Sequence, residues 1–445
     1  MHPEPDAFHV YDTTLRDGAQ QEGLAFSVAD KLAVARHLDE LGVGFIEGGW
    51  PGANPKDDEF FRRAAKELKL DTSTLVAFGS TRRKAGKVDS DDTLRHLIEA
   101  GTSTVCIVGK CWDYHVVEAL ETTLDEGVAM VGDSVQFLRS NGLDVFFDAE
   151  HFFDGFRANP EFSLRVLEAA VMQGASVLVL CDTNGGALPF QVEEAVAAVV
   201  SHFGADVKVG VHLHDDTGCG VANALSGVRA GATHVQGTIN GYGERTGNCN
   251  LVTIIADLAL KMGVSTIPAD RLERLTPVSH HVAELVNMPL NPQQPFVGAS
   301  AFAHKAGLHV SAIARRPDAY EHIAPGLVGN GTRFVVSELA GKSTLQIKAQ
   351  QLGLPLDGPA LNNVVDTLKR LEHEGYHFEA ADASLELLMR KATGWQQDFF
   401  RVESFRVVSD ETEDRAHLTE ATVKVSVSVC PAPRACTAGS VLLRV

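Results

Sequence analysis

Eight short apolar, β-branched runs recur between residue 8 and about residue 262, each followed by an amphipathic stretch. They read FHVY from residue 8, GFIE from 44, STLVAF from 73, STVCIV from 103, DVFFD from 144, ASVLVL from 175, VKVGVH from 207 and THVQGT from 233. The stretch after the first run shows the helical half of the pattern. Ser27 is placed to cap, Asp30 stands at the third helical position, and Leu32, Ala35, Leu38 and Leu41 recur at helix spacing. Strands alternating with helices imply parallel βαβ units, and eight such units close into a (β/α)8 TIM barrel whose interior side chains just fill. A doubly wound open sheet would want a glycine-rich turn after an early strand. GYGERTG at 241–247 has the wrong spacing for that and comes last.

The chain of 445 residues is long enough for more than one core. The barrel is expected over 8–270. A mostly helical linker region follows over 271–377, with NPQQPF at 291–296 as a linker within it. A small α/β module of regulatory type is expected over 378–445, with strands in SFRVVS from 404 and ATVKVSVSV from 421. Its last sixteen residues, CPAPRACTAGSVLLRV, carry no periodicity. With 39 basic against 58 acidic residues the net charge is −19, which argues against nucleic acid and anionic membranes as partners. MHPEPDAFHV at the start has no apolar core, and no run is long enough to span a bilayer. The seven cysteines form no C-x-x-C pair and read as reduced thiols, so a cytoplasmic protein is expected.

In a parallel barrel the C-terminal strand ends face one mouth, where active sites are built. The polar outliers fall there. They are Arg16 and Asp17, Glu47, Asp148 with Glu150 and His151, Asp182 with Thr183 and Asn184, HLHDD at 212–216, and Asn240 with Glu244, Arg245 and Asn248 beyond it. His212 and His214, at i and i+2 on a strand, share its inner face; with Asp17 they supply two nitrogens and an oxygen to a metal. An isolated H-x-H is more often a pair of backbone-bonded core histidines, but the strand-end position and Asp17 reverse that balance. Read as neighbours on an extended chain, Arg16 and Asp17 point opposite ways: Asp17 to the metal, Arg16 to a substrate carboxylate. Glu150 suits a base or a support for a metal-bound water, and Thr183 either a substrate contact or a helix cap. TRRK at 81–84 reads as a solvated basic turn before it reads as a site for cofactor phosphates. Cys106 and Cys111 read as packing. Phe78, Ile107 and Phe147 are candidates for a substrate pocket or for barrel filling.

YDTTLRDGAQ at 11–20, DAEHFFDG at 148–155, CDTNGG at 181–186, HLHDD and GERTGN at 243–248 together resemble a known family. It is the metal-dependent acyltransferase and lyase family that contains the isopropylmalate, homocitrate and citramalate synthases. FIEGGWPGANPKDDEFF at 45–61 is most similar to the citramalate branch. The resemblance implies Claisen condensation of acetyl-CoA with a 2-keto acid, here pyruvate, giving (R)-citramalate and CoA on the route to isoleucine. Isopropylmalate or homocitrate synthesis, and a silent metal-binding regulatory barrel, are the alternatives. By position it implies a divalent cation (Mg2+, Mn2+, Zn2+ or Co2+) on Asp17, His212 and His214, with Asn248 as a fourth ligand. Arg16, Glu150 and Thr183 match residues that hold the keto acid and the metal-bound water. In FAHKAGLHVSAI at 302–313, His309 matches the family's catalytic histidine, with Tyr320 as its partner; both are expected to reach the other barrel of a homodimer. The family's C-terminal module binds an end-product amino acid, and the residues after ATVKVSVSV depart from it, so a shortened module is expected.

Overall fold

The alternation of apolar residues along each strand decides the architecture, because it leaves one face for a barrel interior and the other for helices. The computed structural model describes residues 8–305, 307–336, 341–379, 381–395, 400–412, 415–426 and 440–444. Its strands are β1 (His9–Asp12), β2 (Phe45–Gly49), β3 (Thr74–Ser80), β4 (Thr104–Lys110), β5 (Asp144–Glu150), β6 (Val177–Asp182), β7 (Lys208–Leu213) and β8 (His234–Gly237). They form a closed barrel in chain order, all neighbours parallel, with β8 returning to β1 through His9 beside His234. The eight expected strands are therefore present, and the closed sheet has no free edge.

The helices around it are α1 (Val28–Leu41), α2 (Pro55–Glu67), α3 (Asp92–Glu99), α4 (Leu124–Ser140), α5 (Phe152–Ala158), α6 (Pro160–Met172), α7 (Pro189–Phe203), α8 (Gly220–Arg229), α9 (Leu251–Lys261) and α10 (Leu275–Leu285). Ser27 and Asp30 form the expected capping box on α1, satisfying two end groups reciprocally. Along β5 the alternation sends Phe146 inward and Phe147 outward. Tyr11, Phe45, Val76, Phe78, Cys106, Phe146, Val179 and Cys181 pack inside the barrel. Ile107 and Phe147 instead join the larger layer between strands and helices. Of the three pocket candidates, only Phe78 faces the interior.

The chain divides into two compact units. One ends at Ala303 and takes in Pro317–Arg333; the other comprises His304–Arg316 and the residues from Phe334 onward. The divide lies beyond residue 270, where the sequence put the end of the barrel. The reason is that α10 stays with the barrel: Ser279 on it donates to Asn240 Oδ1 at 2.6 Å, and Asn240 Nδ2 donates back to the Ser279 carbonyl at 2.9 Å. The second unit holds helices Lys342–Gln351, Gly358–His373 and Asp382–Ala392 around Leu345, Val364, Leu368, Leu385 and Met389. Strands Arg401–Thr412, Arg415–Ser426 and Ser440–Arg444 form an antiparallel sheet. Most of CPAPRACTAGSVLLRV, including Cys430 and Cys436, lies outside the described residues. Among the described residues no helix is long and apolar enough to cross a membrane.

Candidate active site

β1 stops at Asp12, earlier than the sequence suggested, and the chain turns at once. The N–H groups of Arg16, Asp17 and Gly18 all donate to the Thr13 carbonyl. Arg16 and Asp17 are thus on a tight turn and not on extended chain, so their side chains do not diverge. Arg16 Nη1 lies 3.2 Å from Asp17 Oδ1, while its Nε donates to Glu47 Oε1 at 2.5 Å. The guanidinium also lies over the Phe78 ring at 3.8 Å, and Tyr11 donates to the other oxygen of Glu47 at 2.6 Å. Arg16 is therefore held at Nε and at Nη1 by two carboxylates and on one face by an aromatic ring. Burial opposes its charge, but Asp17 and Glu47 beside it raise its pKa above the ordinary arginine value. Glu47 is the part of this clamp to which the sequence assigned no role.

His212 lies one residue before the end of β7 on the inner face, and His214 follows just past that end. Their Nε2 atoms lie 3.4 Å apart, and Asp17 Oδ2 is 3.0 Å from His212 Nε2 and 3.7 Å from His214 Nε2. All three are buried, and their possible ligand atoms lie within 4.8 Å of one another. Asn248 reaches the same point because the loop after β8 runs back beside the end of β7, with His214 and Asn248 bridged antiparallel. Its Nδ2 donates to Asp17 Oδ2 at 2.8 Å. Its Oδ1 is buried with no hydrogen-bond partner. Such an orphan oxygen costs roughly 1–3 kcal/mol. Turned over, that oxygen would join two imidazoles and a carboxylate, a donor set that fits a divalent cation.

Burial would raise the Asp17 pKa, but Arg16 and the hydrogen bond from His212 hold it well below the carboxylate range. Burial, then the neighbouring His212, push His214 down to about 4. For His212 burial disfavours charge, yet contact with Asp17 raises its pKa above the ordinary histidine value. The other side of that ring is set by β8, whose register places Gln236 beside His212. Gln236 Nε2 donates to Asp148 Oδ1 at 2.9 Å, so its Oε1 must accept from His212 Nδ1 at 2.7 Å. The tautomer is thereby fixed with Nε2 toward Asp17. No sequence motif singles out Gln236; only the pairing of β7 with β8 reveals it.

A cavity of about 680 Å³ opens from this cluster, lined by Arg16, Asp17, Phe78, Glu150, Thr183 and His212 among others. Glu150 Oε2 lies 2.5 Å from Lys110 Nζ. The Thr183 hydroxyl accepts from the His151 N–H at 2.9 Å, tying the ends of β5 and β6 together; its own hydrogen remains to donate. It caps no helix through that contact. Arg82 contradicts the solvated basic turn: it is 4% exposed and paired with Glu126 and Asp133. Arg83 and Lys84 are exposed. Burial raises the Cys106 thiol well above its usual value and the Cys111 thiol to about 12, so neither is a thiolate nucleophile. Five cysteines, including these, are free among the described residues. His309 is exposed on helix Gly307–Arg315 of the second unit, and Tyr320 is exposed in the first.

Residues 7–280 match the HMGL-like family model, and residues 296–376 match the homocitrate synthase post-HMGL domain-like model. The (R)-citramalate synthase of Streptomyces coelicolor is 53% identical over 94% of this chain and 79% of its own. That of Aquifex aeolicus is 50% identical over 94% of this chain and 80% of its own. The 2-isopropylmalate synthase of Sulfolobus acidocaldarius is 34% identical over 86% of this chain and 96% of its own. The HMG-CoA lyase of Pseudomonas aeruginosa shares the fold at a TM-score of 0.55 with 17% identity, covering 64% of this chain and 95% of that one. A barrel with a metal-type cluster at its mouth defines the class, and the chain belongs to the HMGL-like family. Within that family its place is among the (R)-citramalate synthases, which are closer in sequence than the isopropylmalate synthases.

Proposed function

We propose that the protein condenses acetyl-CoA with pyruvate to give (R)-citramalate and CoA, an acyl transfer that feeds isoleucine synthesis from pyruvate in the cytoplasm. The observation that carries this reading is the buried Asp17–His212–His214 cluster beside a clamped arginine in one cavity. When a divalent cation is held by Asp17, His212, His214 and Asn248, it supplies Lewis-acid polarisation of a keto oxygen. Arg16 uses Nε on Glu47 and Nη1 on Asp17, which leaves Nη2 for the pyruvate carboxylate. The Thr183 hydroxyl donates to the same carboxylate. Together they orient the keto carbon, and charge that develops on its oxygen meets fixed donors rather than water.

The acetyl methyl is a weak carbon acid, so a base must take its proton. His309, supported by Tyr320, has that role in this reading, each contributed to the barrel of the other subunit of a homodimer. The carbanion equivalent attacks the keto carbon, the new alkoxide takes up a proton, and water cleaves the thioester to release CoA. Glu150, paired with Lys110, orients that water in this reading.

Thiol release from acetyl-CoA, measured with a panel of 2-keto acids and added Mg2+ or Mn2+, tests the reading. Pyruvate is expected to give the highest kcat/KM. A higher value for 2-ketoisovalerate would transfer the protein to isopropylmalate synthesis. Absence of thiol release with every keto acid would leave a silent metal-binding barrel.

A further inference from the structure

The loop after β3 carries three consecutive cations on a protein of net charge −19. Arg82 is its anchor. Its Nε donates to Asp133 at 2.9 Å and its Nη1 to Glu126 at 2.6 Å, while its backbone N–H donates to Ser134 Oγ at 2.8 Å. Glu126 also accepts from the Ala85 N–H at 2.7 Å, and Asp91 accepts from the Arg83 N–H at 2.9 Å. Ala85 sits in the left-handed region at φ 56°, strain of a kind that clusters at functional sites. A surface turn with no task would not need so many fixed points.

What this frame presents is Arg83. Among the described residues its guanidinium has no ion pair and no hydrogen bond. Lys84 beside it donates to the Leu120 carbonyl at 2.7 Å and to the Glu121 carbonyl at 3.4 Å, and its ammonium stands 3.8 Å from the exposed Glu121 carboxylate. Leu120 follows a single π-helical turn, His115–Ala119, a rare geometry found most often at functional sites. Arg83, Lys84 and Leu120 line the same cavity as Arg16, Asp17 and His212. That cavity thus takes in both the reacting centre and an unpaired cation on an anchored loop.

Resting on the reading above, in which the acyl donor is a CoA thioester, we propose that Arg83 and Lys84 bind the phosphates at the donor's nucleotide end. The guanidinium fork matches phosphate oxygens in bidentate fashion. On a surface of overall negative charge, a local cationic patch also draws a polyanionic substrate toward the mouth.

The test compares acetyl-CoA with acetyl-pantetheine, which lacks the phosphates, in the full-length protein, wild type against Arg83→Ala/Lys84→Ala. Expected is a rise of about tenfold or more in the KM for acetyl-CoA, with kcat and the KM for pyruvate held. The constants for acetyl-pantetheine are expected to stay the same, and the wild-type preference for acetyl-CoA to shrink as salt rises. An unchanged KM for acetyl-CoA, or an equal rise for both thioesters, would overturn the inference. Calorimetric titration with CoA and pantetheine decides it even if no turnover is found: wild type should bind CoA more tightly, and the double variant should lose that difference. Failure of the functional reading shows separately, as absence of thiol release by wild type.

Discussion

His212 is held on both sides of its ring, and each side makes a separate prediction. Nε2 faces Asp17, so His212→Ala is expected to abolish both divalent-metal binding, read by Mn2+ titration calorimetry, and turnover. Retention of either would remove His212 from the ligand set. Nδ1 is fixed by Gln236, and partners of this kind typically change metal affinity by about 10–100-fold when lost. Gln236→Leu is therefore expected to weaken Mn2+ binding by about that factor, leaving His212 in place. Protons compete for the same nitrogen. Because Asp17 raises the His212 pKa, the imidazolium must lose a proton before it ligates, whereas His214, at about 4, is already neutral. Metal affinity should rise with pH through and above the ordinary histidine range, with net proton release on binding that calorimetry in buffers of differing ionisation enthalpy would detect.

At the scale of elements, the site depends on a loop that returns to β7. Gly247 adopts φ 98°, and a Cβ there would lie 2.0 Å from the Gly241 carbonyl oxygen. Its own carbonyl accepts from the Asp215 N–H at 2.9 Å, next to the segment that presents His214. Gly247→Ala is expected to lower stability by about 1–3 kcal/mol, read as a fall in the urea midpoint. Metal affinity should fall with it, since Asn248 is the next residue. An unchanged urea midpoint would show that the loop accommodates the side chain elsewhere.

At the scale of the whole molecule, the proposed exchange of His309 between subunits has a quantitative signature. In that reading Asp17→Ala and His309→Ala each remove a different half of one composite site. If the halves come from different chains, mixing the two inactive variants under subunit exchange should restore about one quarter of wild-type activity, since half of the dimers are mixed and each has one intact site. No restoration would place both groups in the same chain, and full activity of His309→Ala alone would remove His309 from the reaction.

The barrel was legible along the chain because parallel strands buried on both faces must be short, apolar and separated by amphipathic helices, and eight such units can close. His212, His214 and Asp17 were legible too, since strand periodicity and position at a strand end suffice to group them. What one dimension does not contain is lateral neighbourhood. Glu47 clamps Arg16 from the next strand, and Gln236 supports His212 across the β7–β8 pair. Asn248 reaches its place through a returning loop, and Arg82 is buried because α4 brings Glu126 and Asp133 to it. The turn at Arg16 and Asp17 is the clearest case. Local charge marked both residues, but the hydrogen bonds to Thr13 put them side by side, and only the closed barrel brought Asp17 to the two histidines. Pattern along a chain specifies which face a side chain takes; which other faces it meets depends on strand register and loop return, which are set by the folded packing as a whole.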